Sequence, residues 1–201
     1  DSLRGAAGSA EQAAARVTRV VDSLRRFARL DEAEEQQVDV HGCVEAALGR
    51  LGRELEGVTV ETDFGEGPPL RCRPALLNEV FLELIANAAE ALEGRGRIRL
   101  RSRFEDGWIC VSVQDDGPGV PAEQLERIFE PGFTTRGRGV GVGLGLSTAL
   151  RIVEEHGGTL TLDGAPGQGI TAEVRLPQPS LAPAPGRMEP DRAAPRPWTL
   201  G

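Results

Sequence analysis

The sequence has no basic excess. Its 201 residues carry a net charge of -8, which argues against a general nucleic-acid binder, since that class normally needs a basic face. No apolar run approaches the roughly 18 residues that a membrane-spanning helix requires. The opening stretch DSLRGAAGSA is not a secretory signal. Cysteine is scarce: Cys43, Cys72 and Cys110 lie far apart with no metal-ligand spacing, and read as reduced, buried or half-buried thiols of a cytosolic protein. Histidine is scarcer, with only His41 and His156. No methionine opens the chain, so a piece of a longer protein is expected. What is present is 39% hydrophobic, enough for one ordinary domain with a sizeable core and something smaller.

The pattern along the chain divides it in three. Residues 9–36 read as one long helix, with Ala10, Ala13, Val17, Val20, Leu24 and Phe27 at alternating spacings of three and four. That is a heptad seam, equally suited to a partner helix and to its own core; DEAEEQQ at its end reads as a solvated helix face. VDVHGCVEAALGRLGREL follows as a short extended piece and a helix, and GVTVETDF alternates as a strand. RPALLNEVFLELIANAAEALEG is the strongest helix, with Pro74 in its first turn and Gly94 past its end. RIRLRSRF and WICVSVQ form a hairpin through EDG. A glycine-rich segment spans 117–145, a helix LGLSTALRIVEEH ends at Gly157, and TLTLDG and ITAEVRL are the last strands. From about residue 178 the chain is Pro/Ala/Gly-rich without periodicity, expected to be a disordered tail. Helices and mostly antiparallel strands in this order predict an α+β sandwich.

The strand WICVSVQ runs into DDGPGV, residues 115–120. A solvated acidic turn accounts for those residues taken alone. Other stretches give them company. Glu83 and Asn87 stand four apart on a helix, hence on one face, among Val80, Leu84, Ala88 and Ala91. A polar pair there needs partners, from local backbone or from a divalent ion bridging to phosphates, since magnesium takes oxygen ligands and often only one or two from protein. Asp115 at a strand end can accept from an exocyclic amine such as that of adenine, and Gly117 and Gly119 let the backbone pass close to a flat ligand. Gly141, Gly143 and Gly145 open a helix, whose N-terminus favours phosphate. Between them, Phe129 and Phe133 can anchor a loop, and Arg136 and Arg138 can reach phosphate oxygens.

Taken together, the four stretches resemble the catalytic ATP-binding domain of sensor histidine kinases, in the GHKL ATPase superfamily. ELIANAAEAL is similar to its N box, DDGPGV to the first glycine box, IFEPGFTTR to the F box and GVGLGLS to the second glycine box. The resemblance covers about residues 9–177. It implies a Bergerat-type two-layer α/β sandwich, a mixed sheet under three helices, preceded by a long helix of a dimerisation hairpin. The domains implied are 1–37, part of the dimerisation domain; 38–177, the catalytic domain; and 178–201, the tail. ATP and Mg²⁺ are the implied cofactors, with a lid at about 120–143. Asn87 and Glu83 are the implied catalytic and metal-holding residues. Asp115, Gly117, Gly119, Phe133, Arg136, Gly141, Gly143, Gly145, Leu146 and Thr171 would complete the ATP site with Asn87, Thr171 falling where the family often has an adenine-side Thr. The implied reaction is transfer of the γ-phosphoryl to a histidine on a helix missing from this chain, then to a response-regulator Asp. The implied partners are a second copy through the N-terminal helix and a receiver domain, in a bacterial cytoplasm, with no nucleic acid and no direct membrane contact.

Three residues depart from the family pattern. Glu83 stands where kinases commonly have Asn, and Glu there is more typical of the gyrase, MutL and heat-shock chaperone branch. Glu90, three past Asn87, replaces a basic residue common near the phosphates. Pro131-Gly132-Phe133 lacks one of the usual F-box aromatics, which would loosen the lid. His41 has no adjacent acidic residue, and His156, in EEHGG, ends a helix where a cation is favoured; neither is expected to accept phosphate. Two other readings stay open: an ATP-hydrolysing machine of the gyrase, MutL or chaperone type, and a nucleotide-binding module without turnover.

Overall fold

The computed structural model of the chain describes residues 34–133 and 143–178. The expected long helix up to residue 33, the segment 134–142 with Arg136, Arg138 and Gly141, and the tail from 179 lie outside the described residues.

A five-stranded sheet in the order β2-β4-β5-β7-β6 forms one layer. Its strands are β2 (Val58–Phe64), β4 (Gly96–Glu105), β5 (Trp108–Asp115), β6 (Thr159–Gly164) and β7 (Ile170–Pro177). β2 runs parallel to β4 and all other neighbours are antiparallel. The β4–β5 turn is two residues long, Asp106 and Gly107, both at positive φ (51° and 80°), the backbone twist that matches flanking strands. Three helices make the second layer: α1 (Val40–Arg50), α2 (Pro74–Ala91) and α4 (Gly145–Glu155). A single turn, α3 (Ala122–Leu125), follows DDGPGV. The mixed sheet under three helices is the architecture expected.

Two local features differ from the sequence reading. Residues 34 and 35 are not helical, and Gln36–Val38 is a strand, β1, paired with β3 (Leu70–Cys72). The expected helix does not extend over residues 34–36, and the expected boundary at 37/38 falls within β1. An ion pair between Arg71 and Glu35 (2.8 Å) extends this pairing outward. Asp39 then starts α1, its carboxylate accepting from the N–H of His41 at 3.0 Å, the usual satisfaction of an orphan first-turn donor.

The core lies between the layers. Ile109, Val111 and Val113 of β5, with Leu100 of β4 and Val174 of β7, face Leu77, Val80, Phe81, Leu84 and Ile85 of α2, all essentially buried. All three cysteines are buried and unbridged. Both histidines are tied into this frame. His41 stacks on Phe64 with ring centroids 4.6 Å apart and shares a 2.7 Å hydrogen bond with Ser102. At the end of α4, the N–H of Arg73 donates to His156 Nε2 (3.1 Å), which leaves Nδ1 to donate to the Ile152 carbonyl (2.7 Å).

Candidate functional site

One long helix, α2, joins the parts. Glu83, Asn87 and Ala91 succeed one another by single turns on one side of it. Glu83 and Asn87 are half-buried while Val80, Leu84 and Ala88 beside them are in the core. Asn87 Nδ2 donates to Glu83 Oε1 at 3.3 Å. At the Glu83 end the carboxyl group lies against Gly145, where a Cβ would overlap it. At the other end Ala91 meets Gly117, whose Cβ would lie 3.5 Å from that of Ala91. The eight residue steps from Glu83 to Ala91 span about 12 Å of helix, the scale of a nucleotide. The N-terminus of α4 thus sits at one end of the row and the end of β5 at the other.

At the β5 end the two adjacent carboxylates have separate tasks. Asp115 continues the inward row of Ile109, Val111 and Val113, and is only 5% exposed. Its Oδ1 accepts from the N–H groups of Gly117 (2.9 Å) and Ile170 (3.3 Å). Burial pushes the Asp115 carboxyl above its ordinary range, against those two N–H groups, which favour the charged form. Asp116 points the other way and caps β4, accepting from the N–H of Arg97 at 2.7 Å. Gly119 and Gly169 are both at positive φ (62° and 73°), and a Cβ on either would strike backbone carbonyls, of Ala165 and of Asp115 respectively. Only glycine fits there.

At the α4 end, Gly132 and Gly143 close the base of the intervening segment: the N–H of Gly132 donates to the Gly143 carbonyl at 2.9 Å. Gly143 has φ 68°. Phe129 and Leu146 pack, partly buried, against the core. Phe133 instead lies under the guanidinium of Arg127, 4.9 Å from its ring centre. Of the F-box aromatics, then, Phe129 anchors to the body while Phe133 is held by a surface cation. Glu90 is exposed on α2.

Thr171 does not join this group. It lies directly across from Gln114, and opposed residues share a face, so it points to the side of the sheet away from Asp115. There it lines a groove with Ser112, Gln114 and Glu173. The residue at the shoulder of Asp115 is its neighbour Ile170, through its N–H. Ile170, Gly169 and Asp116 are the contributors that sequence reasoning passed over; the GQG before the last strand was the available signal for Gly169.

The side chains that could share a divalent cation with a phosphate are Asn87 and Glu83. Among the described residues no group of three or more His, Cys, Asp or Glu could enclose a metal. Magnesium bound through phosphates needs only one or two protein oxygens; Glu83 lies against Gly145 at the start of α4, and Asn87 stands one turn along α2, bonded to it.

Residues 72–180 match the family model described as histidine kinase-, DNA gyrase B-, and HSP90-like ATPase. The chain belongs to this family. Within it, the similarity is to sensor histidine kinases. The chain is 32% identical over 167 residues to the signal transduction histidine-protein kinase AtoS of Escherichia coli, covering 80% of this chain and 27% of AtoS. It is 37% identical over 167 residues to the sensor histidine kinase ZraS of Klebsiella oxytoca, covering 81% and 36%. Against the sensory histidine kinase/phosphatase NtrB of Rhodobacter capsulatus it is 33% identical over 170 residues, covering 77% and 47%. The chain therefore spans less than half the length of these relatives. Among solved structures, the mycobacterial sensor histidine kinase MprB superposes with TM-score 0.64 at 26% identity, over 72% of this chain and 98% of that one. Full-length ShkA in complex with AMPPNP gives 0.71 at 26% identity, over 81% and 36%. The chain carries the ATP-binding catalytic domain of this histidine-kinase type of ATPase.

Proposed function

We propose that this chain binds Mg-ATP in the cleft between Asp115 and the N-terminus of α4, and serves as the catalytic part of a sensor histidine kinase. The observation that carries the proposal is the row Glu83–Asn87–Ala91, which lines up a buried carboxylate at one end with a glycine-opened helix N-terminus at the other. Asp115 accepts from the exocyclic amine of adenine, held in place by the N–H groups of Gly117 and Ile170. Gly117 and Gly119 let the backbone follow the flat ring. The first N–H groups of α4, at Gly145 and Leu146, with Gly143 before them, receive phosphate oxygens. Gly141 and Arg136 would add to the phosphate end, and Phe133 to the covering loop. Asn87, with Glu83 beside it, would hold Mg²⁺, which when bound neutralises phosphate charge.

Phosphoryl transfer asks the protein mainly for positioning and charge neutralisation. The acceptor is a histidine on another helix, brought by dimerisation through the segment preceding residue 34. The phosphoryl group then passes to an aspartate of a receiver domain, in the cytoplasm of a bacterium. Neither His41 nor His156 serves as acceptor, since the first is stacked on Phe64 and hydrogen-bonded to Ser102 and the second has both ring nitrogens in backbone hydrogen bonds.

The test is transfer of label from γ-labelled ATP. The 201-residue chain alone is expected to bind ATP and to take up no acid-labile label. Mixed with a partner that supplies the upstream helix, it should label a histidine there. Stoichiometric label on the chain alone, lost in His41→Gln or His156→Gln, contradicts the proposal. Glu83 favours a second reading, hydrolysis of the gyrase, MutL or chaperone type. Steady phosphate release by this chain alone, without any labelled partner, would establish that reading instead.

A further inference from the structure

Two of the three cysteines share one side of the core. Cys43 is in the first turn of α1, on the face that buries Val40, Val44 and Ala47. Cys72 ends β3, directly across from Gln36 of β1, and its side chain is buried like that of Leu70. Only Asp39 separates β1 from α1, so the chain passes straight from the two-stranded ribbon into the helix. The two thiols meet there, each the other's hydrogen-bond partner, although they come from elements far apart in the sequence. Cys110 takes no part: it lies on the other face of the sheet, lining the groove with Thr171. The contact makes the pair unequal. The hydrogen bond from Cys72 pulls Cys43 below the ordinary thiol range, against burial and the nearby Asp39 carboxylate. The same bond, together with burial, pushes Cys72 up. The thiolate is the nucleophile in thiol chemistry, and a second thiol in contact converts its first oxidation product into a disulfide.

We propose that Cys43 and Cys72 are a redox-sensitive staple, joined by a peroxide into an internal disulfide that braces α1 against the β1–β3 ribbon. The Cys43 thiolate attacks one peroxide oxygen, the O–O bond breaks, and the departing hydroxide takes up the thiol's proton as water. Cys43 is then a sulfenic acid. The Cys72 sulfur attacks the Cys43 sulfur, and the sulfenic hydroxyl leaves with the Cys72 proton as a second water. Two electrons pass from the thiol pair to the peroxide, and a dithiol reductant reverses the change. Both thiols are shielded, at 3% and 1% exposure, so the reaction follows local opening of α1. The bond then opposes that same opening, because a cross-link between distant positions restricts the unfolded chain.

The experiment treats the full 201-residue chain with hydrogen peroxide under native conditions, alkylates the remaining thiols after unfolding, and maps the peptides by mass. The expected result is a peptide pair joined through Cys43 and Cys72, with Cys110 alkylated. The oxidised chain should melt about 5 °C or more above the reduced one, and dithiothreitol should return it. Cys110→Ser should behave in the same way, whereas Cys43→Ser should form no internal bond and show no rise. Recovery of Cys43 and Cys72 as alkylated thiols, or of Cys43 as a sulfinic acid, overturns the proposal. A bond through Cys110 also overturns it, as does a joined pair with no rise in melting temperature. Should Cys43→Ser fail to fold, the peptide map and the melting shift of the wild-type chain decide the matter by themselves.

Discussion

The two ends of the cleft are built on opposite plans. At the β5 end the functional carboxylate is buried in the core, fixed by two backbone N–H groups, and surrounded by glycines that admit no substitute. At the α4 end the polar side chains are half-buried and contact one another, and Gly132 and Gly143 are joined by a backbone hydrogen bond. The first end is pre-organised, as recognition of a rigid base by a hydrogen bond requires. In the proposed reading the second end receives the phosphates and their metal. Affinity should therefore depend most on Asp115, and metal response on α2.

Several substitutions can break that division of labour. The largest effect is expected from Asp115→Asn, which should weaken binding of an ATP analogue at least tenfold, given about 1.5–3 kcal/mol for a hydrogen bond to a charged group. Calorimetry measures the loss, and a retained thermal transition shows that the fold survives. Because burial raises the Asp115 carboxyl, its charged form costs stability above that raised value and protonation relieves the cost. The nucleotide-free variant should accordingly melt no lower than the wild type near neutral pH.

A smaller effect is expected at the other end. Asn87→Ala should reduce the affinity gained on adding Mg²⁺ while leaving adenosine binding unchanged. Titrations with and without the cation measure both quantities. A gain of wild-type size in the variant would assign the metal elsewhere and blur the contrast between the two ends.

The smallest effect is a matter of pH. Protonated Asp115 cannot accept at both oxygens, so nucleotide affinity should fall on acidification, beginning above the pH at which ordinary aspartates titrate. The same limb should be missing in Asp115→Asn. Affinities measured from neutral pH downward for both proteins separate this group from every other carboxylate and from the nucleotide itself.

Much of this was legible in the sequence, and the exceptions share a cause. The hairpin of β4 and β5 announced itself because alternation and an Asp-Gly turn are local signals. Glu83 and Asn87 were placed together by helical spacing alone. Asp115 was recognisable because it ended an alternating strand on its apolar side. β1 and β3 were not, since strands of three residues carry no period and each is fixed only by pairing with the other across the chain. The same long-range pairing makes residues 36–38 a strand where a helix was expected to reach 36. Thr171 went astray by one residue: strand register decides which face a side chain takes, and a single step reverses it. That register is set by the pairing of β7 with β5, which no stretch of β7 encodes by itself.

The central claim is that Asp115 reads an exocyclic amine at the buried end of this cleft. Adenine offers a donor at that position and guanine an acceptor, so the two bases differ there in what they present to a carboxylate. Calorimetric titration of the 201-residue chain in Mg²⁺ with non-hydrolysable analogues of ATP and GTP tests this directly. Binding of the ATP analogue, with the GTP analogue at least about tenfold weaker, is the result the account predicts. Equal affinity for the two, or no binding of either, would contradict it.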